Sequence, residues 1–237
     1  MNITKHIPNI LTCLNIVSGC IAVVAALLYG SLEMAACWII IGAVFDFSDG
    51  FAARMLKAYS PIGKDLDSLA DVVTFGVAPG VIVFRLLFEI TYVGVPGLAS
   101  NSYQYLPYVA FVIPVFSALR LAKFNIDDRQ TTSFIGLPVP AHALFWASLS
   151  CALVPVVLNY GLAIIIGVIL LSIITSLLLV SEIPMFSLKI KSFAWKGNEL
   201  RYLLVVSAVF FIIFFGFLGL AGTILLYILL SVFNKKS

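Results

Sequence analysis

Apolar segments of about 20 residues recur along the whole chain, and short polar turns separate them. Because a helix of about 20 apolar residues spans the ~30 Å hydrocarbon core of a bilayer, this pattern predicts an all-α polytopic membrane protein. No segment is left for a separate soluble domain, so we expect about eight transmembrane helices in a single domain over residues 1–237. The predicted spans are 8–30, 32–56, 65–92, 104–124, 138–157, 160–181, 200–216 and 218–233.

The first and last apolar stretches need a separate interpretation. The first is too long for the core of a signal peptide and has no clear cleavage site, so we interpret it as a retained span. The last is too long for one crossing, and we place its turn at the cluster of Gly216, Gly219 and Gly222.

The distribution of basic residues predicts the orientation, since cytoplasmic loops are enriched in Lys and Arg. With the N-terminus inside, all of the 14 Lys and Arg residues except Arg85 fall on cytoplasmic segments. Arg85 precedes Glu89 by four residues, which predicts an ion pair on one helix face near the outer end. The net charge of +3 therefore reflects topology and does not indicate a nucleic-acid partner.

Acidic residues are concentrated in one stretch. Only 11% of the residues are charged, yet five of the 11 Asp and Glu lie in "DFSDGFAARMLKAYSPIGKDLDSLAD", residues 46–71. On a helix, Asp46 and Asp49 are about 60° apart and Asp67 and Asp71 about 40° apart, so each pair occupies one face. The segment "KAYSPIGK" turns the chain between them, so two antiparallel helices direct four carboxylates at one point. Asp65 is about 160° from Asp67 and is expected to face the loop or solvent.

Four converging carboxylates repel each other strongly unless protons or a cation neutralise them. Oxygen ligands favour Mg²⁺ or Mn²⁺, with Ca²⁺ as a further candidate, and four carboxylates are enough to bridge two ions. Such a centre suits a reaction at a phosphate. Two alternatives are solvated acids at the membrane interface and a cation pathway through a transporter. The acids cluster at one membrane face, which disfavours the pathway.

Small residues surround the acidic pairs. Gly50, Ala52 and Ala53 leave room for a ligand at the helix surface. Arg54 lies one turn beyond Gly50, where its side chain can reach an anionic oxygen. Gly63 is placed in the turn between the two helices.

The pattern D-x2-D-G-x2-A-R-x8-G-x3-D-x3-D, from residue 46 to residue 71, resembles the signature of the CDP-alcohol phosphatidyltransferases at every fixed position. The resemblance implies that a CDP-linked lipid is bound, that two divalent ions hold its diphosphate, and that an alcohol attacks the phosphorus next to the lipid while CMP leaves. It also implies a homodimer. The implied metal ligands are Asp46, Asp49, Asp67 and Asp71, and Asp71 is in addition the implied catalytic base.

The segments "IPNILTCLNIVSG", "DSLADVVTFGVAPG", "ALRLAKFNI" and "FIGLPVPAHA" resemble the phosphatidylserine synthase branch of this family, up to about residue 145. This resemblance implies CDP-diacylglycerol and L-serine as substrates. Asn9 and Thr12 lie on one stripe of the first span with Asn15, where they contact the CDP-lipid or hydrogen-bond a neighbouring helix. The residues assigned to the CDP-lipid are Asn9, Thr12, Gly50, Ala53, Arg54 and Gly63.

A cation is expected for the carboxylate of serine. Arg120 and Lys123 lie three residues apart at the end of the fourth span, with Asn125 just after them, and these three are assigned to the acceptor. The enrichment of basic residues in cytoplasmic loops explains the same two cations without a substrate. Glycerol phosphate, inositol phosphate and choline therefore stay as alternative acceptors, and an ether-linked archaeal lipid stays as an alternative donor.

The location follows from the predicted topology. We expect a multi-pass protein of the cell's inner, cytoplasmic membrane, surrounded by membrane lipids, with its active site facing the cytoplasm. The four cysteines lie singly in apolar segments without ligand spacing and are interpreted as small packing residues. His6 and His142 have no evident carboxylate partner and are interpreted as surface or packing residues.

Overall fold

The computed structural model describes residues 6–94, 104–127, 134–186, 195 and 198–233. The described chain is helical, apart from one pair of two-residue strands, which confirms the all-α prediction. The helices are α1 Ile7–Leu27, α2 Leu32–Met55, α3 Pro61–Asp71, α4 Ala78–Glu89, α5 Val112–Ile126, α6 Val139–Leu153, α7 Val157–Val180, α8 Glu199–Phe215 and α9 Leu218–Phe233.

Six helical stretches in the described part of the chain are long and apolar enough to cross a membrane, so the chain is an integral membrane protein. Helices α8 and α9 have 17 and 16 residues and fall below that length, so the count of eight spans stays a prediction. The six stretches are Ile7–Leu27, Leu32–Met55, Pro61–Tyr92, Leu106–Ile126, Val139–Val156 and Leu162–Val180.

The third crossing begins four residues earlier than the sequence analysis places it. The hydroxyl of Ser60 accepts a hydrogen bond of 3.1 Å from the Gly63 backbone N–H, and Pro61 occupies the first helical position. A serine cap followed by proline is a strong helix start. Gly63 therefore lies in the first turn of α3 and not in the connecting turn, where the sequence analysis placed it.

The third crossing is also not one regular helix. A π-helical turn, Val72–Val77, joins α3 to α4, and a second one, Ile90–Gly94, follows α4. The first π turn starts directly after Asp71. Since a π turn changes the helical phase of the residues after it, this irregularity sets how α4 is rotated relative to α3 and its acidic residues.

Thr74 holds the first three crossings together within this π turn. Its hydroxyl donates a hydrogen bond of 2.9 Å to the backbone oxygen of Asn15 in α1. A β-carbon added at Gly19 would lie 2.5 Å from Thr74 Oγ1, and one added at Gly42 would lie 2.5 Å from Thr74 Cγ2. Glycine at both positions therefore permits an approach that no larger residue allows.

The turn between the last two helices is where the glycine cluster predicts it. Gly216 follows α8 with φ of 56°, a left-handed conformation that favours glycine. Two further packing predictions are confirmed. Arg85 Nη2 lies 2.8 Å from Glu89 Oε1, and His142 is fully buried. The cysteines are free, although Cys13, Cys20 and Cys37 lie on the surface and not in the core.

Gly42→Ala should reduce stability by about 1–3 kcal/mol, because the new methyl group overlaps the γ-methyl of Thr74. Thermal unfolding in detergent measures the effect. Gly167→Ala is the matched control, since nothing lies within 4 Å of its added carbon. Replacing Thr74 with Ser removes the overlapping methyl group and keeps the hydroxyl, so the double variant should recover part of the loss. Equal stability of Gly42→Ala and Gly167→Ala would contradict this account of the packing.

Candidate active site

Three carboxylates converge where α2 ends and α3 begins. Asp46 and Asp49 lie on the last turns of α2, and Asp67 lies on α3. One carboxylate oxygen from each lies within 4.8 Å of the others, a spacing that permits one metal ion to be shared. The prediction that the two helices bring acids from both pairs together is thus confirmed for these three.

Asp49 is the most enclosed of the three, with 6% of its surface exposed. The hydroxyl of Thr12 in α1 lies 2.6 Å from Asp49 Oδ2 and donates a hydrogen bond to it. Because a charge-assisted hydrogen bond is short and strong, this contact fixes the rotamer of the carboxylate. Helix α1 therefore contributes directly to the acidic cluster.

Asp71 lies next to this group of three, and its side chain is hydrogen-bonded to that of Asp46. The carboxylates of Asp46, Asp67 and Asp49 repel the Asp71 carboxylate. The guanidinium of Arg120 in α5 attracts it. The Oδ1 atom of Asp71 is buried and makes no hydrogen bond within the described structure. The same holds for Oδ1 of Asp67. Asp65, by contrast, is exposed, as its position on the helix predicts.

Buried carboxylate oxygens without donors are costly, and their repulsion increases the cost. An oxygen-only donor set with unpaired atoms is what a hard divalent cation takes. The residues present therefore fit a divalent metal ion, and Asp46, Asp49 and Asp67 are the ones placed to hold it.

A cavity of about 230 Å³ opens beside the acidic cluster. It is bounded by α1, the end of α2, the 56–60 connection and the start of α3. All six residues that the sequence analysis assigns to the CDP-lipid line it. The lining residues are Pro8, Asn9, Thr12, Asp49, Gly50, Ala53, Arg54, Ala58, Tyr59, Ser60, Gly63, Lys64 and Asp67.

Gly63 brings α3 close to α1 at the wall of this cavity. An added β-carbon would lie 2.9 Å from Ser60 Oγ and 3.1 Å from Asn9 Oδ1. The glycine therefore matters through close helix approach and not through a turn conformation. Sequence reasoning missed Tyr59, Ser60 and Lys64 as lining residues, although the Ser-Pro helix start was a signal that this segment is ordered.

Arg120, Lys123 and Asn125 do not line the same cavity. Arg120 has 7% of its surface exposed, and its guanidinium carbon lies 4.9 Å from the centre of the Phe124 ring. Asn125 donates a hydrogen bond of 2.8 Å to Ser68 Oγ, and its backbone oxygen accepts one of 3.3 Å from Lys64 Nζ. These bonds join α5 to α3 between the cavity and Arg120.

Lys123 forms an ion pair with Glu182, which the sequence analysis did not single out. The Lys123 Nζ and Glu182 Oε1 atoms are 2.5 Å apart. Arg120 and Lys123 share a small cleft with Ile135, Leu179, Val180 and Ser181. The structure thus groups Arg120 and Lys123 around one cleft, and neither of them lines the cavity that Arg54 lines.

The family model described as CDP-alcohol phosphatidyltransferase matches residues 5–178. The match covers α1 to α7 and includes every carboxylate of the cluster. The chain belongs to the CDP-alcohol phosphatidyltransferase family.

One curated relative, from Methanothermobacter thermautotrophicus and 28% identical over 164 residues, is named archaetidylserine synthase, and several others carry the name CDP-diacylglycerol–serine O-phosphatidyltransferase. The protein of this name from Bacillus subtilis is 35% identical over 158 residues, which cover 66% of this chain and 82% of that protein. The one from Methanocaldococcus jannaschii is 35% identical over 166 residues, which cover 70% of this chain and 71% of that protein. The one from Helicobacter pylori strain J99 is 37% identical over 141 residues, which cover 58% of this chain and 54% of that protein. The chain thus spans about half the length of the Helicobacter relative.

Asp49→Asn should weaken Mn²⁺ binding at least about tenfold, since it removes one charge from the enclosed part of the cluster. Electron paramagnetic resonance of free Mn²⁺ during titration of the purified protein measures the affinity. Thr12→Val should weaken binding less, because the ligand stays and only its hydrogen bond is lost. Asp65→Asn is the matched control. If Asp65→Asn weakens Mn²⁺ binding as much as Asp49→Asn, a diffuse acidic surface and not a defined centre binds the ion.

Proposed function

We propose that this protein transfers the phosphatidyl group of CDP-diacylglycerol to the hydroxyl of L-serine, giving phosphatidylserine and CMP. The observation that carries the proposal is the acidic cluster, in which Asp46, Asp49 and Asp67 converge beside a cavity. Family membership and the name that several curated relatives share support the reaction and the acceptor. The cation-transporter alternative is disfavoured by the same family membership.

The cavity suits a nucleotide diphosphate whose lipid chains extend into the bilayer. Arg54 and Lys64 supply positive charge at its wall. Gly50 and Ala53 leave the α2 surface free of bulky side chains. Asn9 and Thr12 provide polar contacts from α1. We assign these residues and Gly63 to the CDP-lipid. An ether-linked donor fits the same headgroup contacts, and one relative is named archaetidylserine synthase. The diacyl donor is assigned through the name that the Bacillus and Helicobacter relatives share.

Asp46, Asp49 and Asp67 are assigned to two divalent ions, Mg²⁺ or Mn²⁺, with Asp71 completing the set. Bound ions neutralise the diphosphate and make the phosphorus more electrophilic. Asp71 is assigned in addition as the base that takes the proton of the serine hydroxyl. The unpaired Oδ1 atom of Asp71, which is free to take a proton, supports this second role.

The reaction forms one bond and breaks one. The serine oxygen attacks the phosphorus next to the lipid, and the bond from that phosphorus to the bridging oxygen of CMP breaks. The hydroxyl proton passes to Asp71, and CMP leaves with the electron pair of the broken bond. Arg120 faces Asp71 from α5, so an anionic acceptor group beside Arg120 places a hydroxyl close to the base.

We assign the chain to the cytoplasmic membrane, as one catalytic domain over residues 1–237 with eight spans. The acidic cluster is assigned to the cytoplasmic side of the membrane. The proposed assembly is a homodimer. The basic residues support this orientation, although Lys5, Arg129, Lys189, Lys191, Lys196, Lys235 and Lys236 lie outside the described residues.

Purified protein should release CMP from CDP-diacylglycerol with L-serine and not with glycerol phosphate, inositol phosphate or choline. Arg120→Gln should raise the KM for serine by roughly ten- to a hundred-fold, because a hydrogen bond to a charged group contributes about 1.5–3 kcal/mol. Lys64→Gln is the matched control and should raise the KM for the CDP-lipid instead. Asp49→Ala should abolish turnover, whereas Asp65→Ala should retain it.

Either of two results would change the assignment. CMP release with another alcohol but not with serine would overturn the acceptor and leave the reaction class intact. If Arg120→Gln raises the KM for the CDP-lipid and leaves the KM for serine unchanged, Arg120 binds the diphosphate and not the acceptor.

A cysteine at Tyr59, whose side chain is 73% exposed beside the cavity, should react with impermeant thiol reagents only when the cytoplasmic face is opened. The background must lack the four native cysteines, because three of them are exposed. Tyr105→Cys, at the opposite end of the helices, is the matched control and should react in intact cells. Labelling at position 59 from outside intact cells would reverse the orientation.

A further inference from the structure

Glu182 lies directly after α7, in a segment that several contacts hold in place. Strand β1, Phe134–Ile135, pairs antiparallel with strand β2, Pro184–Met185. The Gly136 backbone N–H donates a hydrogen bond of 2.9 Å to the backbone oxygen of Ile183. We call residues 181–186 the strap.

Helix α9 fixes the other end of the strap. Buried Tyr227 donates a hydrogen bond of 3.1 Å from its hydroxyl to the backbone oxygen of Phe186, and the two rings lie 5.0 Å apart. Most exposed ion pairs contribute little because both side chains are free to move. Glu182 is different in one respect, since its backbone is anchored on both sides.

Four charged side chains follow one another along this side of the site. Asp71 faces Arg120, which lies one helical turn from Lys123, and Lys123 is paired with Glu182. Ser181 of the strap lines the same cleft as the two cations. The successive charges from the proposed base outward are therefore negative, positive, positive and negative. One turn of helix α5 separates the two cations by about 4.5–5.5 Å along its axis.

This order is complementary to a zwitterionic amino alcohol. Serine has a hydroxyl, a carboxylate and an ammonium group on neighbouring carbons, so a hydroxyl at Asp71 places its carboxylate near the cations. We propose that Glu182 binds the ammonium group of serine and is a specificity-determining residue for the acceptor. This proposal rests on the proposed function above.

Glu182 provides a selectivity between acceptor alcohols that the two cations alone do not provide. Arg120 and Lys123 attract any anionic acceptor, including a sugar or glycerol phosphate. A carboxylate beside them favours an acceptor that also carries a positive charge and disfavours one with additional negative charge. Glu182 lies beyond residue 178, where the match to the family model ends, so it belongs to the part of the chain that the family-wide match leaves out.

A different role for Glu182 makes opposite predictions. If it only neutralises Lys123, its removal frees the lysine and strengthens binding of every acceptor that carries a carboxylate. If Glu182 binds the ammonium group, its removal weakens the binding of serine. An analogue without the ammonium group then binds equally well or more tightly. The compound 3-hydroxypropanoate is such an analogue, because it keeps the hydroxyl and the carboxylate.

Glu182→Gln in the full-length enzyme should raise the KM for serine by roughly three- to thirty-fold, since a partly exposed charge-assisted contact is worth less than a buried one. The KM for CDP-diacylglycerol and the inhibition constant of 3-hydroxypropanoate should not rise. Glu182→Asp should restore most of the serine affinity. Glu33→Gln, which changes an exposed glutamate at the start of α2, is the matched control and should leave the serine KM unchanged.

Three outcomes would overturn the proposal. These are an unchanged or lower serine KM in Glu182→Gln, an equal loss of serine and 3-hydroxypropanoate, and failure of Glu182→Asp to exceed Glu182→Gln. A wild-type enzyme that releases CMP with another acceptor and not with serine would instead show that the proposed function itself is wrong.

Discussion

The close contact of Thr74 with Gly19 and Gly42 determines where the acidic residues lie. It joins α1, α2 and the third crossing in one layer, and it sits three residues after Asp71. The π turn that contains Thr74 begins where α3 ends. Because helix positions are rigidly linked through such close packing, a shift at Thr74 would move Asp71 relative to Asp46 and Asp49.

The acidic cluster is held by interactions that only partly offset its charge. Thr12 donates to Asp49, and Arg120 faces Asp71, while Oδ1 of Asp67 and of Asp71 stays without a donor. Carboxylates this close together in a weakly polarisable setting destabilise the fold unless a cation balances them. The helices therefore carry a destabilised centre that a divalent ion would stabilise, and binding of the ion and stability are coupled.

The two halves of the chain contribute different parts of the site. The first three crossings supply the carboxylates and the wall of the cavity. Helix α5, the strap and α9 supply the cations, the paired acid Glu182 and the contacts that fix them. Under the proposed assignment, donor and acceptor would meet where the halves join, beside Asp71.

The sequence by itself determined the helical membrane class, the turn at Gly216, the convergence of the acids, the exposure of Asp65 and six of the residues that line the cavity. These follow from local periods and spacing, because neighbours on one helix face are fixed by helix geometry. The start of α3, the close approach at Gly63 and the π turn after Asp71 were decided by capping and by packing between helices. The pairing of Lys123 with Glu182, 59 residues later, was decided by the tertiary structure alone, since no local pattern relates a charge on α5 to one in the strap.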